Sequence, residues 1–239
     1  VRLEGAKVLV CGASGALGGA LARALHAQGA QVVGAGRDPD RVAAVAAELG
    51  TEGLTLDVVD TDACAATVEQ AVAALGGLDL LVVTVGVAGF GRAVEADPAV
   101  AEELLAVNAL GPMALVRAAG PHLTEAPGGE GVAVVLSAVL ADLPTAGMAE
   151  YSAAKAALSA WLDVVRREER RSFRVLDVRP PHLDTDLETR ALAGEPPRLP
   201  APYPSSRVVE VVLEALTSDA REARTAKAAV VEGGELVLR

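Results

Sequence analysis

Aromatic residues are nearly absent from this 239-residue chain, which has one Trp, two Tyr and two Phe. Lysine is also scarce: Lys7, Lys155 and Lys227 stand against eighteen arginines. Both biases read as genomic composition more than function. Two cysteines, Cys11 and Cys64, supply neither a disulfide framework nor a clustered metal site. His26, His122 and His182 are scattered, which argues against a zinc site, and no metal is expected. Positive charge is in deficit, with a net charge of −11, so nucleic acid and anionic membrane surfaces are poor partners. No uninterrupted apolar run reaches the roughly 18 residues that span a bilayer. The first ten residues, Val-Arg-Leu-Glu-Gly-Ala-Lys-Val-Leu-Val, lack the apolar stretch and cleavage site of a secretory signal. The expectation from these absences is a soluble, cytoplasmic protein.

Hydrophobic residues make up 51% and charged residues 22%, enough for an ordinary globular core over 1–239 as a single domain. Short apolar runs alternate with helical stretches. Strands are expected at Lys7–Val10, Gln31–Ala35, Leu54–Leu56, Leu78–Thr84, Val132–Ser137 and Arg174–Val178. Helices are expected at Leu17–Gln28, Asp40–Leu49, Thr61–Leu75, Ala99–Ala119 and Glu150–Arg170. This alternation predicts an α/β class fold, a doubly wound parallel sheet with helices on both faces. Residues 186–206 read as a long loop, with five prolines between Pro196 and Pro204, and such a loop beside a site strand is a lid candidate. The mixed-sign run Arg166–Arg171 reads as a solvated helix end.

Two motifs carry chemistry. Cys11-Gly-Ala-Ser-Gly-Ala-Leu-Gly18 lies between the first strand and first helix. Gly12 and Gly15 permit a tight turn and close phosphate approach, Gly18 permits helix–strand contact, and the helix N-terminus attracts a pyrophosphate. Ser14 adds a hydroxyl. At the end of the second strand Gly36 stands where NAD sites usually carry a carboxylate, and Arg37 follows it. An Arg there pairs with a 2′-phosphate, with Arg41 beside it, so NADP(H) is the preferred cofactor and NAD(H) the alternative. Asp38 is a candidate helix cap. The second motif is Tyr151-Ser-Ala-Ala-Lys155, whose offset of one helical turn puts the phenol and the ammonium on one face. A nearby cation lowers a tyrosine pKa from its ordinary value of about 10, which suits general acid–base work.

Together these motifs, with Leu56-Asp57-Val58, Asn108 in Ala-Val-Asn-Ala-Leu-Gly, and Val-Arg-Pro-Pro-His-Leu-Asp-Thr-Asp, occur in the order found in the short-chain dehydrogenase/reductase family. The chain resembles its single-domain members, with a Rossmann fold, over roughly residues 5 to 190. The resemblance implies that Tyr151 is the general acid for carbonyl reduction and that Lys155 lowers its pKa and holds the nicotinamide ribose. It implies that Asn108 kinks its helix and holds a water linked to Lys155. Asp57 and the Val58 backbone would bind the adenine edge, and Thr185 the carboxamide. Ala16, Leu17, Val85, Gly86 and Pro180 would line the cofactor. The implied function is NADP(H)-dependent reduction of a ketone, or oxidation of the secondary alcohol, in a homodimer or homotetramer built on the helices Ala99–Ala119 and Glu150–Arg170.

Four departures from the family pattern motivate an alternative, a non-redox enzyme of cyclisation or dehydration or a cofactor-binding regulatory subunit. Thirteen residues before the Tyr, where the family commonly has Ser, stands Ala138, with Ser137 one place earlier. A shift of one residue along a strand reverses the side-chain face. A local adjustment in 139–147 would bring Ser137 into the site; otherwise the substrate loses that donor. Val83-Thr84-Val85-Gly86 replaces Asn-Asn-Ala-Gly, leaving Thr84 to substitute for lost amides. Cys11 and Ala16 replace Thr and Gly, and Pro180-Pro181 replaces Pro-Gly. Leu187, Leu192, Leu199 and Tyr203 in the lid suggest apolar substrate contacts, with Arg190 and Arg198 as possible anion binders.

Overall fold

The computed structural model of the protein describes residues 1–217, 228–232 and 235–238. One sheet runs through them. Its strands are β1 (Lys7–Cys11), β2 (Gln31–Gly36), β3 (Leu54–Thr55), β4 (Leu80–Val83), β5 (Val132–Leu136), β6 (Arg174–Val178), β7 (Ala228–Glu232) and β8 (Glu235–Leu238). They lie in the order β3-β2-β1-β4-β5-β6-β7-β8. Every pairing is parallel except β7 with β8, which is an antiparallel pair. Residues 233–234, between β7 and β8, lie outside the described set.

The helices are α1 (Ala16–Ala27), α2 (Pro39–Leu49), α3 (Thr61–Leu75), α4 (Pro98–Leu105), α5 (Gly111–Thr124), α6 (Ala149–Glu168) and α7 (Ser205–Thr217). Strand periodicity sorts the side chains between two layers. Val8, Val10, Leu80, Val82, Val134 and Leu176 pack with α1 and α7 through Leu21, Leu25, Val208 and Val212. Leu9, Leu81, Val83, Val135 and Val175 pack on the other face with Val68, Leu115, Leu158 and Leu162. Burial on both faces is why β4 and β5 are apolar at every position. Helix starts follow the acidic caps: Asp38 accepts from the Asp40 and Arg41 amides, and Asp60 from those of Asp62 and Ala63.

Three expectations change. Helix α7 was not anticipated; it occupies part of what read as a lid running to 206. The expected helix over 99–119 is longer, and a π-helical turn over Ala106–Leu110 joins α4 to α5. By length and composition the continuous Pro98–Thr124 helix would also cross a membrane, its most apolar window having a mean hydropathy of 1.5, contrary to the reading of runs alone. Half of that window is buried within the fold, where an apolar helix beside a sheet belongs.

The strand order reverses between β1 and β4, so a crevice opens beyond their carboxyl ends.

Candidate active site

The glycine loop turns at the end of β1, where Gly12 has φ 95°. A Cβ at Gly12 would lie 2.5 Å from Thr84 Oγ1, and one at Gly18 would lie 2.2 Å from the Gly12 carbonyl oxygen. Both positions therefore exclude any side chain. Helix α1 begins with Gly15 as its N-cap, without a side-chain cap and without an acidic residue in its first turn. Its N-terminal field is left for an external anion. Arg41 Nη2 donates to the Ser14 carbonyl at 2.5 Å and braces the loop. Gly36 is small for a physical reason, since a Cβ there would sit 2.6 Å from Ser14 Oγ. Arg37 follows it, exposed at the mouth of the crevice.

The crevice is a cleft of about 750 Å³. Gly12, Ser14, Gly15, Ala16, Leu17, Gly18, Arg37, Asp57, Val58, Val85, Gly86, Pro180 and Thr185 all border it, as do Tyr151, Lys155 and Ser137. These residues fit a dinucleotide: the two glycine cradles accept backbone-close phosphates, and the uncapped helix faces them. Asp57 Oδ1 accepts from the Val59 amide at 3.1 Å, which fixes the carboxylate at the β3 end. The Thr84 hydroxyl donates to the Cys11 carbonyl at 3.0 Å and so ties the segment after β4 to β1.

Tyr151 and Lys155 lie on α6, both buried. The ammonium sits 6.0 Å from the Tyr151 ring centroid and donates to the Leu136 carbonyl at 3.1 Å. The expected lowering of the phenol pKa is corrected here. Burial pushes Tyr151 up to about 12, and burial pushes Lys155 down to about 8 while Asp177 opposes it. Desolvation, which disfavours the charged form of either group, is the leading cause in both. Asn108 lies in the π turn, where the family resemblance puts a kink. Its Oδ1 accepts from the Val87 amide at 3.1 Å and its Nδ2 donates to the Val87 carbonyl at 2.9 Å. That double bond pins the segment after β4, where Gly86 faces both Asn108 and the ammonium.

Ser137 is the second correction. Its hydroxyl donates to Asp177 inside the fold, and Ser159 Oγ lies 3.2 Å from it. The residue packed with Tyr151 is Ala138, in an apolar cluster with Ala88, Phe90, Leu104 and Met148. Strand alternation is the reason: Ser137 shares the face of Val135 and so points toward α6.

The lid closes this cluster. Leu140, Leu187, Leu192 and Leu199 pack against it, whereas Tyr203 packs with the α1–α7 core instead. Two backbone bonds stitch the lid to the segment after β4, Leu192 N to Ala88 O at 2.8 Å and Phe90 N to Ala193 O at 2.9 Å. His182 adds a strap, with Nδ1 donating to the Pro200 carbonyl at 3.0 Å and Nε2 3.3 Å from Glu188 Oε1. Arg190 and Arg198 border the cleft, as expected of lid cations. Sequence reading missed His182, Glu188 and the buried set Asp177, Ser159 and Arg179. The available signal was one carboxylate among the apolar residues Val175, Leu176 and Val178, and a Ser one turn beyond Lys155.

Residues 6–196 match the family model for short chain dehydrogenase. An uncharacterized oxidoreductase of Methylorubrum extorquens is 34% identical over 202 residues, covering 81% of this chain and 79% of its own. A Danio rerio dehydrogenase/reductase SDR family member 7B is 28% identical over 200 residues, covering 79% of this chain, and the match spans only 64% of that relative's length. Among solved structures, a Burkholderia cenocepacia short chain dehydrogenase in complex with NADP aligns with a TM-score of 0.82 at 27% identity, covering 98% of this chain and 99% of that one. A Thermococcus sibiricus alcohol dehydrogenase complexed with 5-hydroxy-NADP has the same fold, with a TM-score of 0.82, 24% identity and 94% of each chain covered. A glycine cradle at the β1–β4 crevice, a buried Tyr–Lys pair beyond it and these matches agree: the chain is an oxidoreductase-fold protein that belongs to the short-chain dehydrogenase/reductase family.

Proposed function

We propose that the protein is an NADP(H)-dependent oxidoreductase that reduces an apolar ketone, or oxidises the matching secondary alcohol, with Tyr151 giving or taking the proton. The observation that carries this reading is the position of Tyr151, at the seam between the dinucleotide cleft and the apolar cluster closed by the lid. The nicotinamide, when bound, supplies or accepts the hydride. The chain's own work is to bind, exclude water and move one proton. Because burial raises its pKa, Tyr151 holds its proton at neutral pH and rests as an acid, the form that carbonyl reduction consumes. The proton passes from the phenol oxygen to the carbonyl oxygen, and Lys155 stabilises the phenolate left behind. Arg37, with Arg41 near it, supports a 2′-phosphate and so NADP(H) over NAD(H). The preference for an apolar substrate rests on Phe90, Leu140, Met148 and the lid leucines. A second copy of the chain is the proposed partner, and the acidic surface argues against nucleic acid.

Loss of NADPH absorbance with a panel of apolar ketones tests the reading. Turnover is expected in the wild type, and Tyr151→Phe is expected to reduce it by at least about a thousandfold while fold and NADPH binding persist. An unaffected rate would remove Tyr151 from this role. Ala138 favours the second reading, a cofactor-binding protein without redox turnover, and tight NADPH binding without consumption of any ketone would select it.

A further inference from the structure

A buried charged relay stands behind the proton-transfer pair. Asp177 lies in β6, 2% exposed, where its neighbours Val175, Leu176 and Val178 are apolar. It accepts from the Ser137 hydroxyl, from Ser159 Oγ at 2.6 Å and from Arg179 Nε at 2.7 Å. Arg179 Nη1 reaches on to both oxygens of Asp142 at 2.8 and 2.9 Å. Ser159 stands one turn beyond Lys155 on α6, and the carbonyl that Lys155 holds belongs to Leu136, next to Ser137. One peptide and the Ser137 hydroxyl therefore separate the ammonium from the carboxylate, with Ser159 bonded to the carboxylate beside them. The charges alternate in sign: Lys155, Asp177, Arg179, Asp142.

Strand anchoring alone does not explain an acid here. Burying a carboxylate costs several kcal/mol, roughly, even when paired, and a valine would hold β6 between its neighbours as well. A buried counter-charge does have a use beside a buried ammonium. Lys155 is 3% exposed, so bulk water does little to stabilise its charge. Of the elements around it, the segment after β4 and the π turn bring only Gly86 and Asn108, β5 brings a carbonyl, and α6 brings neutral Tyr151. His182 and Glu188 line the open cleft beyond. Asp177 is the buried anion on that side, and Arg179 tempers it.

We propose that Asp177 is a positioning residue for Lys155, a buried counter-charge that keeps the lysine an ammonium through neutral pH, with Arg179 setting how strongly it does so. The proposal rests on reading Tyr151 and Lys155 as the proton-transfer pair. The direction of the Lys155 shift agrees with it, since Asp177 works against the lowering caused by burial.

The test uses the full chain labelled with 13C at the lysine ε-carbons. The sequence has three lysines, so three signals titrate, and Lys155→Arg assigns the one that matters. Removing the anion in Asp177→Asn is expected to lower the Lys155 midpoint by about one pH unit, and removing the tempering cation in Arg179→Gln to raise it. The alkaline limb of ketone reduction should move in the same two directions, with kcat affected more than KM. A purely structural role would impair both variants without opposite shifts. An unchanged midpoint in folded Asp177→Asn, or shifts of the same sign in both variants, overturns the proposal. Should Asp177→Asn fail to fold, Arg179→Gln decides alone: an upward midpoint supports the proposal and an unmoved one overturns it. Absence of turnover in the wild type would count against the oxidoreductase reading, while the titration would still judge Asp177.

Discussion

At position 138 a methyl group faces the phenol that would protonate the substrate, and one residue earlier a hydroxyl faces the wrong way. The sequence left two outcomes open, and strand alternation decides between them: no loop adjustment turns Ser137 around, because Asp177 and Ser159 already hold it. Family members that carry a serine thirteen residues before their Tyr have a donor for the substrate oxygen, and the proposed acid Tyr151 has Ala138 in that place. Ala138→Ser should return that donor. Comparable donors contribute about 2.7–4 kcal/mol in related oxyanion chemistry, so even a partly aligned hydroxyl should raise kcat/KM at least about tenfold. Steady-state NADPH consumption measures it, and an unchanged or lower rate in a folded variant would mean that another group holds the carbonyl. Local spacing made Gly12, Gly18, Tyr151 and Lys155 legible in the sequence, because each motif is complete within eight residues. The Asp177 relay was not legible, since it exists only once β5, β6 and α6 come into register.

Among elements, the apolar strands and capped helices announced themselves, and two exceptions show where pattern fails. Helix α7 carries four valines among its first eight residues, and β-branched density speaks for strand. Yet its buried set, Val208, Val211, Val212, Ala215 and Leu216, follows helical spacing, and that stripe was the readable signal. The π turn at Ala106–Leu110 left no trace in periodicity, because one extra residue in a helical turn changes no composition, and only the kink implied at Asn108 pointed to it. Its effect is positional: Asn108 turns inward to hold Val87, while Leu110 turns out, 56% exposed, with Leu105 at 41% on the same continuous helix. On α6, Val164 is also exposed at 48%, near Trp161 with Arg117 over its ring. The family resemblance assigns these helices to pairing, and exposed aliphatic groups on them suit a second copy. We expect a homodimer or homotetramer in sedimentation, reduced to monomer by Leu110→Glu. A wild-type monomer at high micromolar concentration would refute the assembly.

At the scale of the molecule, the cleft joins parts far apart in the chain. The glycine loop and Arg37 come from the ends of the first two strands, Tyr151 and Lys155 from α6, Thr185 from the segment after β6 and Arg190 from the lid. A ligand spanning them ties both halves of the sheet to one another, so its binding should register as global stability. A net charge of −11 makes this demanding for a polyanion, and it concentrates the attraction in a few arginines at the cleft. At about a hundred times Kd a ligand adds about 2.7 kcal/mol. In a chain of this length each kcal/mol raises Tm by roughly 2–4 °C, so NADPH at that concentration should raise Tm by roughly 5–10 °C. NADH differs from NADPH only by lacking the 2′-phosphate, and its shift at equal concentration should be smaller. Arg37→Ala should erase most of that difference by weakening NADPH alone, because the side chain is exposed and its loss leaves the core intact. Equal shifts in the wild type would remove the cofactor preference, and no shift with either dinucleotide would remove the nicotinamide reading altogether. A preference that survives Arg37→Ala would transfer the phosphate to Arg41, whose guanidinium already holds the Ser14 carbonyl and would then have to serve both.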